Sequence, residues 1–367
     1  MSGFIDKVRS LFKPSPKTQS GLGATSPDTL DPKLAAAAIR RGNTPAPLAG
    51  AKRSTGAAAS PSIMLTAADL EIEFYQAVFQ SEVRRQSVLS VPEKLAVQVV
   101  EETLRNAEQR SKAIPRLPTV VPQLLRSLRD PKASAASFVE IIRQDPVIAG
   151  AVLKMANSAY FNPTRTRIDS FQRAVVTLGI QGLRSILSTA VMQPIIQCKS
   201  PFFIHFGKKL WDHSVCCAVS CQIIAAQEGH EPFKAYLTGL IHDIGKITVF
   251  TQLTQQLKLN PDDKKPPAHV FMYLMEKFAN ELSYTIAKDW AFPDDIVEAI
   301  KAQIGVHDPA SLTGLGSVLY RSNQASIAYM LMNSGVLSDS QAQVLLTKSG
   351  LPVDLFKHLD SVYTETE

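Results

Sequence analysis

From residue 64 onward, apolar positions recur at the three-to-four-residue spacing of amphipathic helices almost without a break. "TAADLEIEFYQAVFQ" (66–80) and "VPEKLAVQVVEETLRNAEQR" (91–110) read as two helices, followed by "LPTVVPQLLRSLRD", "SAASFVEIIRQ" and "DPVIAGAVLKMANSAYF". In the last of these, Asp145 is the expected N-cap and Pro146 the first helical residue. "DSFQRAVVTLGIQGLRSILSTAVMQPIIQ" predicts two helices parted at Gly179. The run then continues through "FGKKLWDHSVCCAVSCQIIAAQEG", "FKAYLTGLIHDIGKITVFTQL", "AHVFMYLMEKFANELSYTIAKDW", "PDDIVEAIKAQ" and "SVLYRSNQASIAYMLMN". No stretch of this body alternates as a strand would, so the expected class is all-α.

The first sixty residues differ. Phe4, Ile5, Val8, Leu11 and Phe12 fall on one helical face, with Lys7, Arg9 and Lys13 elsewhere on the surface. Such a short basic amphipathic helix suits an anionic membrane or a groove on a partner protein. Residues 14–63 are rich in Pro, Ser, Ala, Gly and Thr and nearly devoid of large apolar side chains. They have too little to bury to offset the entropy of ordering, and are expected to be a disordered linker. The expected organisation is therefore an amphipathic helix at 1–13, a linker at 14–63, accessory helices at 64–110, a main helical domain at 111–340, and a C-terminal helix and tail at 341–367.

Charge sharpens this division. Of the +6 net charge, residues 1–60 supply nine Lys/Arg against three Asp, while the remaining chain balances thirty basic with thirty acidic residues. A neutral body offers no general cationic surface for nucleic acid, so that class of partner is not expected. The four cysteines, Cys198, Cys216, Cys217 and Cys221, are too closely grouped for a disulfide framework and read as small core residues in a reducing compartment. "MSGFIDKVRSLFK" has no apolar core of a secretory signal, and a cytoplasmic protein is the expectation, with peripheral membrane contact through residues 1–13 as an addition.

The candidate chemistry lies in "LIHDIGK" at 240–246. A His followed by Asp is a recurrent metal-ligand pair, and His213 in "LWDHS" sits on the preceding predicted helix, about thirty residues earlier. Two antiparallel helices would bring His213, His242 and Asp243 together. Two imidazoles and one carboxylate can hold a single divalent ion with open positions. The same three side chains can equally form a buried hydrogen-bonded cluster in which Asp243 orients an imidazole. No cofactor is expected on the second reading, and one divalent metal ion on the first.

In order, "LPTVVPQLL", "IIRQDPVIAGAVLKMANSAYF", "SFQRAVVTLGIQGLRS", "LWDHS", "GLIHDIGK" and Trp290-x-x-Pro293 resemble the HDOD family, a relative of the HD and HD-GYP metal-dependent phosphohydrolases. The resemblance spans roughly residues 110–335. It implies a two-lobed, wholly helical domain with an HD-type lobe, and a regulatory role in bacterial signalling, often without hydrolase activity. It also implies further metal ligands at positions where this chain has Ala279, Gln303, Ile304 and Tyr329. Ala and Ile supply no lone pairs, which disfavours a two-metal hydrolase.

One further stretch is distinctive. "ANSAYFNPTRTR" places Asn157 and Ser158 at a predicted helix end and Arg165 and Arg167 on the following loop. This loop suits a partner or an anionic ligand, or else Asn157 and Ser158 serve as structural caps. The leading functional expectation is a non-catalytic signalling adaptor that binds a protein partner. The alternative is a metal-dependent phosphohydrolase, or a sensor of nucleotides or cyclic dinucleotides, using the reduced His213/His242/Asp243 set.

Overall fold

The computed structural model describes residues 66–80, 89–116, 121–123, 134–143, 146–196, 204–257 and 268–363. The chain divides into two units, 1–63 and 64–367. The amphipathic segment carrying Phe4, Ile5, Val8, Leu11 and Phe12, the linker, most of "LPTVVPQLLRSLRD" and Cys198 lie outside the described residues. Fourteen α-helices and no strand occur among the described residues, so the class is all-α.

Helices α1 (Ala67–Phe79), α2 (Val91–Arg105) and α3 (Ala107–Ala113) come first. Thr66 and Asp69 close a capping box at the start of α1, and Ser90 and Glu93 do the same for α2. Next, α4 (Ala135–Arg143), α5 (Pro146–Ala156) and α6 (Phe171–Ile196) pack on one another. Pro146 opens α5 as expected, and α6 is broken at Gly179, whose φ of 66° belongs to the left-handed region that glycine tolerates. By length and composition α6 is the one described helix that would suit a bilayer. Here its second half is a core helix, buried from Ser185 to Met192.

The larger group consists of α7 (Ile204–Gln227), α8 (Pro232–Ile241), α9 (Ile244–Gln256), α10 (Ala268–Asp289), α11 (Asp294–Lys301) and α12 (Gly314–Asn333). The main packed pairs are α7 with α8 and α12, and α9 with α10. The 341–367 region, read from sequence as one helix and a tail, holds most of α13 (Asp339–Lys348) and all of α14 (Leu355–Tyr363). Gly350, at φ 63°, and Pro352 stop the first from running into the second. α14 returns to α7, where the Tyr329 hydroxyl of α12 donates to the Asp360 carboxylate at 3.0 Å.

Two glycines set the closeness of this packing. A Cβ on Gly239 of α8 would lie 2.7 Å from the Ala218 Cα and the Cys217 carbonyl oxygen of α7. A Cβ on Gly245 of α9 would run into the Ala279 carbonyl oxygen of α10. The helices flanking the His242–Asp243 pair are thus in backbone contact on both sides.

α1 is part of this group rather than an appendage. Leu70, Phe74, Tyr75, Val78 and Phe79 are all buried, and α1 packs on α7, α10 and α12. Phe79 stacks 5.1 Å from Phe206 of α7, and Phe206 lies 3.9 Å from Phe250 of α9. Burying five such side chains is worth roughly 1.5–3 kcal/mol each, ample to fix the helix in place.

Candidate functional site

His242 is the C-cap of α8 and Asp243 the N-cap of α9, so the pair occupies the corner between two buried helices. His213, in the middle of α7, faces them, as the sequence spacing predicted. Its Nε2 lies 3.3 Å from Asp243 Oδ2, and His242 Nε2 lies 3.3 Å from Asp243 Oδ1. A donor atom from each of the three residues can be drawn within 4.8 Å of the others, and among the described residues no other group of His, Cys, Asp or Glu does this. Residue exposures of 0 % for His213, 6 % for His242 and 4 % for Asp243 remove the cluster from bulk solvent.

A fourth member was not read from the sequence. The Lys246 ammonium, one helical turn along α9 and itself 5 % exposed, donates to Asp243 Oδ2 at 2.9 Å. Burial alone would raise the Asp243 carboxyl, but the His242 ring, protonated at the acid pH where that carboxyl titrates, and the Lys246 ammonium outweigh it and hold it well below the usual carboxylate range. Burial would likewise lower Lys246, yet Asp243 raises it above its ordinary value. This is a charge-assisted pair in which each partner compensates the other's desolvation. Its sequence signal was the i, i+3 spacing and a lysine inside an otherwise uncharged helix.

α1 covers the cluster. The Phe74 ring lies 5.0 Å from the His213 ring, and the Lys246 ammonium lies 5.4 Å from the centre of the Tyr75 ring. Burial pushes the Tyr75 hydroxyl well above its ordinary range, so it stays protonated. The apolar pattern of α1 was legible, but nothing in it indicated which surface it would cover.

The donor set fits one divalent ion in kind. His242 Nδ1 is 2.8 Å from the Gly239 carbonyl, which can only accept, so Nδ1 carries the proton. Burial pushes the His242 ring down to about 4 despite the pull of Asp243, so at neutral pH Nε2 is a bare lone pair facing a carboxylate oxygen. Neither ring nitrogen of His213, nor Nε2 of His242, has a well-formed hydrogen bond; their 3.3 Å contacts to Asp243 are electrostatic. In charge the fit is poorer, since Lys246 already neutralises the only carboxylate. Among the described residues no second group of three His, Cys, Asp or Glu side chains is gathered closely enough to hold a further ion.

The positions at which the family resemblance implies further ligands are otherwise engaged or exposed. Ala279 is packed against Gly245. The Gln303 amide donates to the Ala299 and Gly316 carbonyls, tying the end of α11 to α12, while Ile304 is exposed. Tyr329 is bound to Asp360.

The "ANSAYFNPTRTR" loop lies elsewhere. Asn157 donates to the Leu153 and Ile168 carbonyls and accepts from the Ile168 amide, clamping the ends of the loop together. The Ser158 hydroxyl accepts from the Phe161 amide. Arg165, at φ 54°, and Arg167 are exposed. The loop's own polar groups hold its shape, and the two arginines face solvent.

Comparison with known proteins agrees with this architecture. A crystal structure of an HDOD domain protein of unknown function from Geobacter sulfurreducens is 20 % identical, with a TM-score of 0.50, covering 74 % of this chain and 96 % of its own. A candidate metal-dependent phosphohydrolase from Shewanella amazonensis SB2B is 21 % identical, with a TM-score of 0.55, covering 76 % of this chain and all of its own. An uncharacterized protein of Treponema pallidum (strain Nichols) is 24 % identical over 247 residues, 65 % of this chain; the match spans about half of that longer relative. The HDOD domain family profile matches residues 114–306, just over half of the chain and inclusive of His213, His242 and Asp243. With the ordered motifs and the helical architecture in agreement, the chain belongs to the HDOD domain family.

Proposed function

We propose that this protein is a non-catalytic signalling adaptor of the cytoplasm that binds a partner protein through its HDOD domain. The observation that carries the reading is the sealed cluster. Hydrolysis of a phosphoester by a metal site needs open coordination positions for water and substrate. Here Phe74 and Tyr75 cover the donors, Lys246 holds the carboxylate, and all three candidate ligands are nearly inaccessible. What remains is a rigid helical body suited to binding. Its attachment to a membrane or partner through the basic segment at 1–13 belongs to the same reading and rests on sequence.

A second reading is favoured by the opposed lone pairs of His242 Nε2 and Asp243 Oδ1, which a bound cation would relieve. His213, His242 and Asp243 would hold that ion, and when bound it would supply Lewis-acid polarisation of a phosphoryl oxygen and an acidified water.

Elemental analysis of the untagged protein, paired with a phosphodiesterase assay on bis(4-nitrophenyl) phosphate in added Mn²⁺, separates the two. The adaptor reading expects no stoichiometric metal and no turnover, with unchanged melting in a chelator. Turnover that disappears in His242→Ala would overturn it. Stoichiometric metal lost in His242→Ala, without turnover, would favour a metal-bound sensor.

A further inference from the structure

A cavity of about 410 Å³ lies where the end of α5 and the loop after it meet α6 and α7. That volume falls in the roughly 300–1,000 Å³ range of small-molecule sites. Its walls are mainly apolar, with Tyr160, Phe161 and Val215 among them and Trp211 of α7, itself only 3 % exposed. The polar groups that line it fall into two sets. The first is already occupied: the Thr189 hydroxyl by Tyr236, the Tyr160 hydroxyl by Gln222 at 3.1 Å, and Asn157 and Ser158 by the loop they hold. Asp212 also has interactions of its own.

The second set is the Lys154 ammonium, the Gln193 carboxamide and the Trp211 indole N–H. These residues come from three different helices, all line the one cavity, and their donors have no acceptor among the described residues. Three donor-bearing residues in the lining of a mainly apolar cavity suit a ligand that brings acceptors with it. A neutral apolar molecule would leave them unmatched, and a cation would meet Lys154. Asp212 in the wall disfavours a second negative charge.

We propose that this cavity binds a small amphipathic organic anion, its apolar body against Trp211, Tyr160, Phe161 and Val215 and its single oxyanion group accepting from Lys154, Gln193 and Trp211. None of the residues lining the cavity belongs to the His213–His242–Asp243 cluster, and the proposal stands whichever reading of that cluster holds.

The test uses the full chain and two fluorescent probes. One is 8-anilinonaphthalene-1-sulfonate, an aromatic anion; the other is N-phenyl-1-naphthylamine, the same rings without the sulfonate. The native protein is expected to bind the sulfonate saturably, one to one, with energy transfer from tryptophan, and to bind the neutral probe at least about tenfold more weakly. Lys154→Met should weaken the sulfonate about tenfold and leave the neutral probe unchanged, and Gln193→Leu should weaken it several-fold. Val215→Trp, which fills the cavity, should remove binding of both. Lys154 is exposed and Gln193 partly so, so those two variants remain informative if Val215→Trp fails to fold. Equal affinity for both probes, sulfonate affinity unaltered in both donor variants, or non-saturating binding at many sites would each overturn the proposal.

Discussion

Around Asp243, one carboxylate faces two imidazoles and an ammonium with almost no water, so protonation there is coupled to folding. Burial lowers the His242 pKa from 6.5 to about 4. The unfolded chain takes up that proton below about pH 6.5, whereas the folded chain resists it until about pH 4. Between these limits the unfolded state binds more protons, so stability rises with pH, and His242's contribution is lost as pH falls from about 6.5 to about 4. The loss is on the order of 3 kcal/mol when complete. Asp243, whose pKa is depressed, contributes stability that is lost only below its unfolded value of 3.8, a separate and lower window. Denaturant midpoints measured from pH 7 to pH 4 should therefore fall steeply for the native chain and less steeply for His242→Gln. The same fall in both chains would show that another group titrates. At this scale, the meeting of His213, His242 and Asp243 was legible because ligand spacing on adjacent helices is a local property. Lys246 as counter-ion and Phe74 as cover were not, because each depends on which helix packs over the corner.

Helix existence and its punctuation were written in the chain: the period of the apolar positions, Pro146 at the start of α5, and Gly179 at the break in α6. Less visible was how closely helices approach, which is set by residues that have no side chain to leave a pattern. Gly245 is the clearest case, since any Cβ there meets the Ala279 carbonyl of α10, which belongs to a helix and has nowhere to move. Overpacking a tight core costs about 1–3 kcal/mol, and a clash with fixed backbone belongs at or above the top of that range. Gly245→Ala is thus expected to lower unfolding free energy by at least about 2 kcal/mol in urea titration. An unchanged midpoint would show that α9 and α10 can separate without cost, and that the corner bearing His242 and Asp243 is less tightly held than its geometry states. Ala279, opposite Gly245, follows from the same contact: a larger ligand-bearing side chain at that position would have to be reconciled with helices already in backbone contact.

On the scale of the whole molecule, the compact unit begins at Met64, whereas the HDOD profile matches from residue 114. The difference is α1 to α3, and α1 decides whether the domain is complete. It buries Leu70, Phe74, Tyr75, Val78 and Phe79, and with Phe74 it closes the space over His213. At roughly 1.5–3 kcal/mol for each side chain, this contact is worth on the order of 10 kcal/mol, as large as the net stability of a typical domain. Deleting it would also expose Phe206, Phe250 and Phe271, which form one aromatic cluster with Phe79. A chain beginning at Met64 is therefore expected to melt as cooperatively as the full protein, within a few degrees. A chain beginning at Ser111 should aggregate, or melt without a cooperative transition. Cooperative melting of the shorter chain near the native temperature would mean that the α4–α14 body folds alone and that α1 is a separable cover. In that event the sealed His213–His242–Asp243 cluster would no longer be evidence against catalysis, and the phosphodiesterase assay should be repeated on the shortened chain.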